Sequence, residues 1–273
     1  MAVIAIIGST AKDRVDGGPP RPGGTPHYAL DAIKLVGSRM VAVTKVGRGD
    51  EALLEGLRSP TAVLHPRVSP STLAFSHVND GDERTSSIAD MGEPWTPAEI
   101  REWVAPAVAR CDALHVGALS RADFLAESVA ALREVAGPDR LLSLDAQGLV
   151  RPGRCGPVVE DSHFDRTALQ HLDVLKFAEI EARAAGLTLE VESLGALGVP
   201  EVIVTLGRRG ALLCFDGVLE HIDSDVVEVT DATGMGDRFA AVYVAQRAAG
   251  DEPGSAASRA ARAVAELLRR EAA

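Results

Sequence analysis

Eight short apolar runs, each bounded by turn residues, constrain the fold of this chain more than any other feature of its sequence. Runs rich in Val, Ile and Leu recur at 2–7, 40–46, 61–65, 112–116, 141–144, 173–177, 201–205 and 211–215. Runs of that length suit strands covered on both faces. Between them lie helical patterns, clearest at 122–136, where Leu125, Val129 and Leu132 recur at spacings of four and three. Strand alternating with helix predicts an α/β fold, a three-layer α/β/α sandwich around a mostly parallel sheet. At 273 residues a compact chain buries roughly three quarters of the surface its unfolded form exposes, enough for a full core. One domain is expected over 1–273.

Two stretches break the rhythm. Residues 12–26 read as a Gly/Pro-rich loop, and 72–78 and 84–89 alternate apolar with polar residues around Asn79-Asp80-Gly81-Asp82, the pattern of a β-hairpin. Without a large core of its own, this material (around 12–26 and 70–90) is expected to form a small β lid over one edge. After residue 230 the chain turns helical, about 236–249 and then 255–270, with Gly250-Asp-Glu-Pro-Gly254 between.

Charge and cysteines narrow the function classes. The formal net charge is -11, and no run of like charges forms a tail or stripe, so nucleic acid is not an expected partner. Cys111, Cys155 and Cys214 are odd in number and far apart, which suggests neither disulfides nor a zinc site and fits a reducing cytoplasm. The apolar run at 2–7 is too short for a membrane span and has no basic leader, so no membrane association is expected.

The strongest chemical signal is Thr230-Asp-Ala-Thr-Gly-Met-Gly-Asp-Arg-Phe239, which opens a helix. Gly234 and Gly236, with Met235 between them, let backbone N–H groups converge on an anion at a helix N-terminus. Asp237, in the first turn, is placed to take a proton from an attacking hydroxyl. An ordinary capped helix explains the same spacing equally well. Thr205-Leu-Gly-Arg-Arg-Gly210 is a strand end and turn that brings a nucleotide close to backbone at Gly207 and Gly210, or is a plain hairpin turn. Gly23-Gly24 and Asp13 offer backbone N–H groups and a carboxylate to ligand hydroxyls, or are loop chemistry only.

Taken together and in order, these residues resemble the ribokinase-like, or phosphofructokinase-B, family of carbohydrate kinases. The family signature D-T-x-G-A-G-D appears here as Asp231-Ala-Thr-Gly-Met-Gly-Asp237, with Ala232 and Met235 departing from it. The resemblance implies a ribokinase-like fold and transfer of a phosphoryl group from ATP, with magnesium, to a hydroxyl of a small sugar, polyol or nucleoside. Asp237 would be the catalytic base and residues 234–236 the anion hole. Lys176, Thr205, Gly207 and Gly210 would bind ATP, while Asp13, Gly23, Gly24 and Gln147 would bind the acceptor. Glu181 would hold magnesium through water, and Asp231 would lie by a monovalent cation, potassium.

Departures from the family pattern qualify these roles. The family's N-x-x-E after a lysine-bearing strand reads Ala178-Glu-Ile-Glu181 here, and Tyr28 stands where ribose and fructose kinases carry Asn. Gly8-Ser9-Thr10, the Gly23–Tyr28 loop and Asp145-Ala-Gln147-Gly-Leu-Val-Arg151 are nearer the inositol, polyol and nucleoside kinases. Lid pairing into a homodimer is a further expectation from the resemblance. The rival reading is a ribokinase-fold binding or regulatory protein that has lost turnover, motivated by Ala178. A dinucleotide oxidoreductase and a P-loop enzyme are set aside, because neither G-x-G-x-x-G after the first strand nor G-x-x-x-x-G-K-[ST] occurs.

Overall fold

The computed structural model describes residues 1–80, 83–227 and 233–272. The first strands in chain order are β1 (Val3–Ile7), β2 (Ala11–Val15), β3 (Arg21–Gly23), β4 (Arg39–Gly47) and β5 (Ala62–Ser69). The hairpin β6 (Leu73–Asp80) and β7 (Glu83–Asp90) follows, then β8 (Ala113–Val116), β9 (Leu141–Asp145) and β10 (Gly156–Pro157). The last four are β11 (Val174–Ala178), β12 (Glu201–Thr205), β13 (Ala211–Phe215) and β14 (Val218–Ile222). Among the described residues they make a nine-stranded sheet, ordered β14-β13-β12-β11-β9-β8-β1-β4-β5, and a five-stranded one, ordered β10-β7-β6-β2-β3.

The eight apolar runs all lie in the large sheet, which is parallel from β12 to β5 and antiparallel at β13 and β14. Strand periodicity sends alternate residues to opposite faces. On β1, Ile4 and Ile6 pack in one core with helices α1 (Thr25–Leu35), α5 (Met235–Ala248) and α6 (Pro253–Ala272). Ala5 and Ile7 join the opposite core with α2 (Ala126–Ala136) and α4 (Glu179–Ala184). Each fully buried Ile contributes about 1.5–3 kcal/mol, and both faces carry many. The short α3 (Gln147–Val150) follows β9.

Helix α5 departs from the amphipathic rule: Arg238 through Gln246 are all buried. A helix covered all round needs no polar stripe, and α5 lies against α1, α6 and the sheet. Its N-terminus reaches the C-terminal edge of the parallel strands, the edge at which open α/β sheets bind ligands. The strand order reverses between β1 and β8, and there the segments that follow these two strands touch. A Cβ on Gly8 would come within 2.7 Å of the Gly117 carbonyl oxygen.

Several short elements escaped the sequence reading, β10 among them. Residues 12–26, read as loop, contain β2 and β3, because Gly and Pro mask strands of three to five residues. β2 is held in place by parallel pairing with β6, Ala11 opposite Leu73. β14 follows an Asp216-Gly217 turn with φ of 47° and 71°, the two-residue turn that hairpins favour. Helix α2 begins at Ala126, four residues later than the periodicity predicts. No helix among the described residues is long and apolar enough to cross a membrane.

Candidate active site

The described part of the DATGMGD segment, from Thr233, leads into α5 as predicted, and Asp237 lies in its first turn. Gly234 caps the helix at φ 76°, a left-handed conformation natural to glycine. The first N–H groups of α5 have no partner within the helix, so the start of α5 is a donor-rich cradle. Met235 is engaged by its side chain, Arg238 Nη1 donating to Sδ at 3.5 Å. Asp231 lies outside the described residues.

Lys176, on β11, sits directly on this cradle. A Cβ on Gly236 would come within 2.5 Å of Lys176 Nζ, so glycine at 236 is what lets the ammonium reach the helix start. Lys176 Nζ donates to Asp145 Oδ2 at 3.0 Å from the neighbouring strand β9, with both groups buried. Burial pushes the ammonium down, but Asp145, Glu181 and Asp237 together hold it above the ordinary lysine value. The cradle therefore keeps a fixed positive charge.

Asp237 is partly exposed. Burial, and then the charge of Asp145, push its carboxyl up to about 6, against the Thr25 hydroxyl, Lys176 and Arg151. Thr25 Oγ1 donates to Asp237 Oδ1 at 2.5 Å. A carboxylate tuned toward neutrality is a base matched to a hydroxyl's proton. Glu181 is buried, and its Oε2 accepts the Ala178 N–H at 2.7 Å. Burial raises its proton affinity while Lys176 and Arg151 lower it.

The remaining predicted residues fall on either side of this centre. Asp13, on β2, packs over Gly23, where a Cβ would meet its carboxylate at 2.1 Å. Gly24 has φ 91° and leaves no room for a Cβ beside the Ser9 carbonyl. Gln147 is buried at the start of α3, its N–H donating to Asp145 Oδ1 at 3.2 Å. On the other side, Thr205 Oγ1 donates to the Phe177 carbonyl at 3.2 Å. Gly210 (φ 84°) abuts the Ile222 carbonyl, while Gly207 (φ 60°) is open. Arg209, between them, is ion-paired with Glu179 at the start of α4.

Magnesium and ATP can be tested against these groups. Among the described residues no set of three His, Cys, Asp or Glu side chains could hold a metal ion. Magnesium, which keeps several waters and binds chiefly to substrate phosphates, fits beside Glu181 only as a water-held ion. The phosphates of a donor fit the cradle of Gly234 to Gly236 with Lys176.

A family model described as pfkB family carbohydrate kinase matches residues 9–272. The chain belongs to the pfkB family. A fructokinase of Rhizobium leguminosarum bv. trifolii is 29% identical over 213 residues, 71% of this chain and 61% of that protein. The match thus spans less than two thirds of that pfkB relative's length. A pyrophosphate-dependent kinase in the ribokinase family, solved with a pyrophosphate analogue and myo-inositol, superposes at TM-score 0.82. It is 22% identical, with 97% of this chain and 95% of that one covered. Thermotoga maritima ribokinase gives 0.74 at 20% identity, covering 98% and 94%. These likenesses bear on the fold, which is the α/β fold with a mostly parallel sheet.

Three polar residues at the pfkB centre were given no role from the sequence. Asp145 and Arg151 stand at the two ends of a motif quoted for its resemblance alone. Arg151 closes α3, and its buried Nε has no hydrogen-bond partner among the described residues, with Glu160 3.8 Å away. Thr25 follows the glycine pair and carries no signal of its own beyond the Pro26 that starts a helix.

Proposed function

We propose that this chain transfers a terminal phosphoryl group from ATP to a hydroxyl of a small polyhydroxylated acceptor, with Asp237 as the general base. The observation that carries the reading is Asp237 in the first turn of α5, beside Gly236, against which Lys176 Nζ lies. The acceptor lies over Asp13 and the Gly23-Gly24 loop, under a lid made by the five-stranded sheet. Its hydroxyl proton passes to the free oxygen of Asp237 as the acceptor oxygen bonds to phosphorus and the bridging P–O bond of the donor breaks. Charge building on the transferred group is met by the N–H groups of residues 234–236, by Lys176 and by Arg151. Positioning and electrostatics of this kind carry most phosphoryl-transfer catalysis. Glu181 would hold a magnesium ion through water, and such an ion would supply positive charge to the donor phosphates. Thr205, Gly207 and Gly210 line the nucleotide side.

Pyrophosphate as donor is a second reading, favoured by one feature. Arg209 and Glu179 form an ion pair beside the glycine turn assigned to ATP. A superposable kinase is itself pyrophosphate-dependent. The test is phosphate transfer over a panel containing myo-inositol, fructose, ribose and nucleosides, with ATP or pyrophosphate and with Asp237→Asn as control. A phosphorylated product made by the wild type and not by the variant is expected. Binding of a panel compound without donor consumption above the variant would support the regulatory alternative instead.

A further inference from the structure

We propose that Thr25 is a positioning residue for the base, and that the first turn of α1 clamps the first turn of α5 through it. The inference rests on the assignment of Asp237 as the base. Two contacts carry it, one helical turn apart on each helix. Thr25 Oγ1 donates to Asp237 Oδ1 at 2.5 Å. Three residues further along α1, the Tyr28 ring lies against Gly234, three residues before Asp237, where a Cβ would stand 2.2 Å from the ring.

Thr25 has no freedom to point elsewhere. It is 0% exposed, and its side chain rests on Gly117 at the end of β8, where a Cβ would come within 2.0 Å of Thr25 Oγ1. A β-branched side chain wedged in this way is confined to few rotamers. Glycine at 117 makes the seat, and the hydroxyl is left facing Asp237. The bond also ties down one carboxylate oxygen and leaves the other for the acceptor's proton.

The clamp joins the base to the acceptor side. Thr25 directly follows Gly23 and Gly24, and Gly24 is pressed against the Ser9 carbonyl, with a would-be Cβ at 2.3 Å. Acceptor loop, Thr25 and Asp237 therefore form one stiff path across the strand reversal. Displacing the hydroxyl by even an ångström would misalign the base, an error worth about 10²-fold in rate at the extreme.

Thr25 is distinguishable from a purely structural residue because it acts on the proton. The groups that bear on Asp237 are Asp145 from β9, which raises its proton affinity, and Lys176 from β11 and Arg151 beyond α3, which lower it. Glu181, on α4, bears on Lys176. The Thr25 hydroxyl lowers the proton affinity too, and it is neutral, so its removal changes the base without changing the charge of the site.

The test is a ¹³C carboxyl titration of the full chain without ligands, with the Asp237 signal assigned by its loss in Asp237→Asn. Thr25→Val should raise the midpoint by about 0.5 to 1 unit, the effect of removing one hydrogen bond to a carboxylate. Thr25→Ser should restore it. With the fastest acceptor of the panel, Thr25→Val should lower kcat about tenfold at unchanged acceptor KM, and its acid limb should move up in step with the titration. If Thr25→Val does not fold, Thr25→Ala carries the same titration. An unmoved or lowered midpoint, with only thermal stability reduced, overturns the positioning role while leaving the base intact. Full turnover by Asp237→Asn would overturn both.

Discussion

The two ends of helix α5 both bury charge, and they differ in how that charge is satisfied. At the C-terminal end, Glu201 on β12 accepts from Tyr243 Oη at 2.6 Å and from Arg247 Nη2 at 2.6 Å, with Arg247 Nε adding bonds at 3.1 and 3.2 Å. One carboxylate meets one guanidinium and one phenol. At the N-terminal end three carboxyls, Asp145, Glu181 and Asp237, surround Lys176, and Arg151 carries a buried Nε without a hydrogen-bond partner among the described residues. A closed set of partners stabilises a fold, whereas an open set with a displaced proton affinity is fitted to chemistry. Cavity size alone would mislead here. A cleft of about 820 Å³ opens at the far end, lined by residues such as Glu220, Asp251 and Arg259, and none of the groups around Asp237 lies on its wall.

The comparison can be broken from either end. Asp237→Asn should cost about two to four powers of ten in turnover, the usual worth of a positioned base, with thermal unfolding unchanged. A variant that unfolds early but turns over normally would reverse the roles of the two ends. Glu201→Ala should do the opposite. Leaving Arg247 and Tyr243 without their acceptor should cost about 3 kcal/mol of stability, read by denaturant unfolding, while kcat per folded molecule holds.

Smaller effects sharpen the same contrast. Gly236→Ala puts a methyl group 2.5 Å from Lys176 Nζ. It should lower kcat about 10- to 100-fold by displacing the ammonium from the cradle, with the far end of α5 unaffected in hydrogen exchange. The least drastic test is pH. Asp237 must be ionised to accept a proton, and its carboxyl is pushed up to about 6. Activity should therefore fall as pH drops through that value, reaching about half its plateau there. A limb near 4 would mean that burial and Asp145 do not act on the carboxyl as described.

How much of this was legible in sequence depends on the range over which each feature is decided. The eight apolar runs became strands of the large sheet because double-sided burial leaves a local imprint. Gly81 and Asp82 of the expected hairpin turn lie outside the described residues, while the glycines around Asp237 likewise signal through their own residue types. β2 and β3 did not, since a three-residue strand such as Arg21–Gly23 is specified by its neighbour and not by its composition. Thr25 and Asp145 were invisible for a related reason. Thr25 meets Asp237 across 212 residues, and Asp145 meets Lys176 across 31. Ala178 shows the limit from the other side, for its side chain contributes nothing, yet its N–H is held by Glu181.

The five-stranded sheet owes its inner packing to a very small cluster: Ala11, Leu73, Phe75 and Ile88 close over Leu119 from the loop after β8. The two cores of the large sheet are many times richer. Evolution can therefore redraw the surface above the Gly23-Gly24 loop, strand by strand, at little risk to the scaffold that aligns Asp237 with Lys176 and the start of α5. A lineage built on this plan can diversify what it grips while inheriting unchanged the way it reacts.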